Sequence, residues 1–193
     1  MSFSRAAFSA LFAGSVAAVV ILALVLSGPG PADETRATLP RFVVHVSMGT
    51  AKLLVDQDVT DRLDLVAAAS SDTLKEDMAR LDADGVILDR ATLTQMTSAG
   101  IASLLRSGRV VVTIGAWSQE LMRLAGLDES LNIPAPSASP FFSVLLNSET
   151  ASSFTNMDYS PATFTGLLSD RANRTRRRIG RSDGDHHASG DPR

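Results

Sequence analysis

The apolar positions along the chain follow two regimes. From Ala6 to Leu26 no residue is charged, and Val16 to Leu26 is an unbroken apolar run. These 21 residues, at about 1.5 Å each, match the ~30 Å hydrocarbon core of a bilayer. The stretch exceeds the ~7–15-residue core of a cleaved signal peptide. Pro29 and Pro31 also crowd the positions where cleavage would fall. The pattern predicts an uncleaved transmembrane anchor over 6–26 behind a short head at 1–5; cleavage before Asp33 is the alternative. Beyond residue 40 the pattern changes to short apolar runs alternating with amphipathic segments.

The linker at 27–40 is Gly, Pro, Ala, Asp, Glu and Thr without apolar periodicity. Phe42 to Val46 then reads as a buried strand, with a turn at Ser47–Thr50 and a short helix over Ala51–Asp61. Leu63–Ala69 reads as a second strand. Ser71 or Asp72 caps a helix carrying Leu74, Met78 and Leu81 on one face. Val86–Leu88 is a third strand, Ser98–Arg106 a helix, and Val110–Ile114 a fourth strand. Trp117, Leu121 and Leu124 form the inner face of the next helix. Phe141–Leu146 is a fifth, edge strand beyond the loop Pro134–Pro140. From 148 the chain is Ser/Thr-rich, with one short helix at Pro161–Asp170, and its end is expected to be disordered.

Alternating strands and helices, with the strands continuously apolar, predict an α/β fold. Right-handed crossovers give a small, doubly wound, mostly parallel sheet of about four or five strands. Its expected strand order is 2-1-3-4-5, the Rossmann/flavodoxin-like arrangement. The domain is placed at 41–147 and the tail at 148–193.

Composition narrows the chemistry. Hydrophobic residues at 45% and charged ones at 20% exclude a wholly disordered chain. With no cysteine there is no disulfide, thiolate metal site or cysteine nucleophile. The net charge of −3 hides an asymmetry: residues 171–193 hold seven Arg against three Asp, a net +4 that leaves −7 for the rest.

In such a sheet, ligands bind where the strands end, at the switch point between strands 1 and 3. That places Ser47, Gly49, Thr50, Ser70, Asp89, Arg90, Gly115 and Trp117 around a crevice. Gly49-Thr50-Ala51-Lys52 is neither of the known glycine-rich phosphate loops and reads as a turn into a helix. His45 reads as a hydrogen-bonded core histidine. His186 and His187 are too few for a metal site. No cofactor motif and no metal site is read.

Two resemblances attach to this region. Leu65–Ala69 through Gly85–Asp89 resembles response-regulator receiver domains, which would make Asp89 a phosphoacceptor. The acidic pair such domains carry after strand 1 reads Ser47-Met48-Gly49 here, and their lysine after strand 5 reads Asn147-Ser148. Val86–Asp89 with Met96–Ile101 resembles STAS domains, which would make Ser98 a phosphorylatable serine at a helix start. Without either role, Asp89 caps backbone N–H groups or pairs with Arg90, and Ser98 is a helix cap.

The expectation is therefore a membrane-anchored module, more readily a non-catalytic binding or interaction domain than an enzyme. The alternatives are a degenerate receiver-like or STAS-like phospho-switch and an unrecognised membrane-bound hydrolase. Expected partners are the bilayer through 6–26 and a protein at the membrane. Arg171–Arg181 reads first as a solvated tail; on the cytoplasmic side it would meet anionic lipid. Nucleic acid is not expected, since no aromatic residue interleaves with the arginines. The short head favours a bacterial plasma-membrane protein with its domain outside the cytoplasm.

Overall fold

The strands are apolar at consecutive positions because both faces of the sheet are covered. In the computed structural model, β1 (Arg41–His45) buries Phe42, Val43 and Val44 together. Residues 39–127, 136, 139–147 and 152–184 are described. The expected span 6–26 and its linker up to residue 38 lie outside them. Among the described residues no helix is long and apolar enough to cross a membrane.

β1 pairs in parallel with β2 (Asp64–Ala67) and with β3 (Gly85–Asp89). β3 pairs in parallel with β4 (Val110–Ile114). The order of the whole sheet is β2-β1-β3-β4-β5-β6. The first five positions follow the expected order, but the sheet is mixed and has six strands. β5 (Phe141–Asn147) runs antiparallel to β4, and β6 (Ser152–Asp158) antiparallel to β5. β5 begins at the pole where β4 ends, and there Gly115 N–H donates to the Phe141 carbonyl at 3.0 Å. β5 is thus flanked on both sides rather than lying at the edge.

Among the described residues seven helices connect or cover the strands. The expected helix at 51–61 is two: α1 (Met48–Leu54) and α2 (Gln57–Thr60). They break at Asp56, an extended residue whose carboxylate accepts from Asp58 N–H at 2.9 Å. α3 (Leu74–Arg80) is preceded by Thr73 as its cap residue, not Ser71 or Asp72. α4 (Arg90–Leu93) and α5 (Ser98–Leu105) precede β4, and α6 (Ser118–Leu124) follows it. Trp117 is the residue before α6, and Leu121 is the fully buried member of the expected triple.

The region read as a disordered tail instead contains β6 and the longest helix, α7 (Pro161–Gly184). α7 buries Phe164, Leu168 and Ala172 at helical spacing, with Thr165 and Thr175 beside them. Both threonine hydroxyls donate to helix carbonyls, at 2.9 Å to Pro161 and 3.1 Å to Arg171. α7, α1 and α2 cover Phe42, Val44, Ile87, Val112 and Phe142 on one face of the sheet. The other face packs Val43, Val86, Leu88, Val111 and Leu145 under α3, α5 and α6.

Two long-range contacts hold α7 in place. Phe142, Tyr159 and Phe164 cluster with ring centroids 5.1–6.3 Å apart. The Tyr159 hydroxyl donates to the Leu53 carbonyl at 2.6 Å. Burial, assisted by the negative charge of Asp56, pushes this phenol up to about 12. Further along, Arg176 donates to both oxygens of buried Asp84, at 2.7 and 2.6 Å, and to the Leu39 carbonyl at 3.1 Å. Asp84 also accepts from Arg41 N–H at 2.8 Å. The next residue, Gly85, tolerates no side chain: a Cβ there would lie 2.2 Å from the Val110 carbonyl oxygen.

Losing Arg176 strands a buried carboxylate. The Asp84 side chain is 2% exposed while that of Arg176 is 42% exposed, so water softens the penalty. Arg176→Ala should cost about 2 kcal/mol. Arg177→Ala, at an exposed neighbouring position, should stay within about 0.5 kcal/mol. Denaturant midpoints of the two variants test the contrast.

Candidate functional site

The parallel strands deliver their ends to one pole. There β1 leads into Ser47 and α1, β3 into Asp89 and α4, and β4 into Gly115. A cleft of about 620 Å³ opens between them. Six of the expected site residues line it: Ser47, Gly49, Thr50, Asp89, Arg90 and Gly115. Leu53, Ala91, Thr94, Ile114, Ser139 and Pro140 complete the wall. These six carry no chemical signature in the sequence; the signal that was available is their position next to strand ends.

Ser70 and Trp117 do not line the cleft. Ser70 serves the turn before α3, where its carbonyl accepts from the Thr73 hydroxyl at 3.3 Å. Trp117 is half-buried at the start of α6.

Asp89 is 2% exposed, and both of its oxygens are engaged. Oδ2 accepts from Ser47 N–H at 2.8 Å and Oδ1 from Thr92 N–H at 2.9 Å. The carboxylate thereby caps α4 and ties the end of β3 to the end of β1. It does not pair with Arg90, which reaches instead to Glu120 at 2.8 Å. Burial pushes the pKa of Asp89 up, but the hydrogen bonds from Ser47 and Thr92 outweigh it and hold the carboxyl below its ordinary 3.8. Such a group is ionised, satisfied and poorly placed to attack.

Ser98 is exposed at the first turn of α5, and it is not the cap. Thr97 is, accepting Gly100 N–H on Oγ1 at 3.1 Å. His45 lies near Asp89 at the end of β1. Burial lowers its basicity most; the Asp89 charge and a hydrogen bond to Ala68 only partly restore it, so it titrates below its ordinary 6.5. His186 and His187 lie outside the described residues. Among the described residues no group of three or more His, Asp or Glu is arranged to hold a metal ion.

A polar cluster that the sequence did not announce stands beside this pole. Asn156 Oδ1 accepts from the Ser118 and Ser143 hydroxyls at 2.8 and 2.7 Å and from Ser118 N–H at 3.2 Å. The Thr113 hydroxyl donates to the Ala116 carbonyl at 2.6 Å, and the Ser143 hydroxyl oxygen stands 3.0 Å from the same carbonyl. The cluster fixes the start of α6 against β4, β5 and β6, and with it the wall around Gly115. No known protein family, curated protein or solved structure matches the chain.

Two of the lowered values, those of His45 and Asp89, set the acid response of this pole. Both groups have folded values below their unfolded ones, so each stabilises the fold fully above the unfolded value. Each contribution is lost as pH falls through the folded value. Stability should therefore descend twice, first below 6.5 through His45 and again below 3.8 through Asp89. His45→Gln should remove the first descent. Asp89→Asn should shrink the second, leaving the part that the Arg80-bonded Asp77 contributes, and cost about 1–3 kcal/mol at neutral pH, because its amide turns a donor toward a backbone N–H. Urea unfolding across pH measures both.

Proposed function

We propose that this chain is a membrane-tethered, non-catalytic binding module whose small-molecule ligand occupies the cleft at the ends of β1, β3 and β4. The observation that carries the reading is the cleft itself. It sits at the switch point of the sheet, the recurrent ligand position in open α/β folds. Its walls are largely apolar, from Leu53, Ala91, Ile114 and Pro140, with the Ser47, Thr50 and Thr94 side chains set among them. That lining suits a mostly apolar body bearing a few hydrogen-bonding groups.

The state of Asp89 supports binding over catalysis and over a phospho-switch. A phosphoacceptor needs a free oxygen, and both of its oxygens are held by backbone amides. The tether is the apolar segment 6–26, with the domain held outside the cytoplasm of a bacterial cell.

Gly49 offers the test. A Cβ there would meet nothing within 4 Å, so a large side chain enters the cleft without disturbing the core. The full chain in detergent is screened against a small-molecule library by thermal shift. At one hundred times its dissociation constant a true ligand stabilises by about 2.7 kcal/mol. Gly49→Trp should abolish the shift and leave the unliganded melting temperature unchanged. A ligand that stabilises Gly49→Trp equally binds elsewhere. A library without any stabilising compound, or turnover that depends on Asp89, overturns the reading.

A further inference from the structure

We infer that α7 lays a row of arginines on the anionic lipid headgroups of the membrane that carries the anchor; this rests on the tethered reading above. The row follows from helical spacing. Residues 174, 177 and 181 are all Arg and stand at i, i+3 and i+7, which is one stripe along a helix. The buried positions 164, 168, 172 and 175 fall on the other side. Arg174 and Arg177 are exposed, and Arg174 also pairs with Asp170 one turn earlier at 3.0 Å, an exposed contact that a phosphate can replace.

The position of the row matters as much as its charge. Arg176, between these arginines, bonds Asp84 at the start of β3 and the Leu39 carbonyl just before β1. The basic half of α7 therefore lies at the pole where the chain enters the domain, opposite the cleft. Residues 27–38 separate that pole from the apolar segment, a tether of at most about 43 Å when fully extended. At about 36 Å, α7 is also roughly twice as long as the five-residue strands it covers, so its end runs past the sheet toward that side.

Charge selects the partner. The chain outside residues 171–193 is net −7, so an anionic surface repels the body and attracts this one pole. Guanidinium groups match phosphate oxygens in a two-point geometry. Nucleic acid offers the same phosphates, but no aromatic residue stands in the row to stack on bases, and the tether delivers lipid at high local concentration.

The absence of cysteine makes the test clean. The full chain carries one spin label, at exposed Asn173→Cys on α7 or at exposed Ala91→Cys beside the cleft. It is reconstituted into vesicles of phosphatidylcholine alone or of equimolar phosphatidylcholine and phosphatidylglycerol. Accessibility to a water-soluble relaxation agent is read for each. The expected result is shielding of Asn173→Cys in the anionic vesicles only, with Ala91→Cys accessible in both. Arg174→Gln with Arg177→Gln should weaken the docking equilibrium about thirty-fold, as two lipid-facing arginines require. Asn173→Cys as accessible as Ala91→Cys in anionic vesicles overturns this proposal alone. Shielding by added duplex DNA but not by anionic vesicles overturns it in favour of nucleic acid. A chain that fails to incorporate into either vesicle overturns the tether and this proposal together.

Discussion

A sheet that is apolar on both faces needs two covers, and the rest of the fold answers that need. The crossovers of the parallel strands supply α3 and α5 to one cover, and α6, which follows β4, completes it. The other face receives only the short helices α1 and α2 from the same kind of connection. Phe42, Ile87, Val112 and Phe142 would stay wet without α7. Exposing one such side chain costs about 1.5–3 kcal/mol, so a chain ending at β6 would forfeit much of a typical domain's stability. The antiparallel pair β5 and β6 exists in the same context: it widens the sheet and turns the chain so that α7 begins at the cleft pole and runs back along the open face.

The two acidic residues at the ends of β3 divide the molecule's tasks. Asp84, before the strand, is neutralised by a guanidinium and gathers β1, β3 and α7 at one pole. Asp89, after the strand, is held by amides and gathers β1, β3 and α4 at the other. Both are buried carboxylates with every oxygen engaged, but the means differ. An ion pair with a half-exposed arginine tolerates a wet surface. Amide donors fixed by backbone geometry keep a cleft wall in shape without bringing a second charge into it.

How much of this was legible varied with the kind of signal. β1, β3 and β4 were readable because their residues are apolar without interruption, and the strand order followed from crossover handedness. The direction of β5 was not readable, since an apolar run is the same in either sense. β6 was hidden because Ser152–Asp158 is mostly polar, as an edge strand permits. The second half of α7 was hidden because its buried positions are Ala172 and Thr175, small residues that weigh little in any hydrophobic pattern. Its arginines looked like a solvated tail, and only the fold shows that Arg176 belongs to Asp84. At the cleft, Ser47, Gly49, Thr50, Asp89, Arg90 and Gly115 came from topology, because strand ends converge at a switch point. Ser70 failed because β2 ends one strand further out. Leu53, Ile114 and Pro140 were missed because apolar walls look like core until the space in front of them is seen.

The contacts that seat α7 join residues far apart in the chain: 106 positions from Leu53 to Tyr159 and 137 from Leu39 to Arg176. During synthesis, every strand of the parallel sheet is complete long before the helix that covers its second face. The nascent domain therefore passes through a stage with an open apolar side, the kind of surface that draws chaperones or sticks to a neighbour. Folding is held back until nearly the whole chain has emerged, and under the export proposed above that delay would keep the polypeptide open for threading across a membrane.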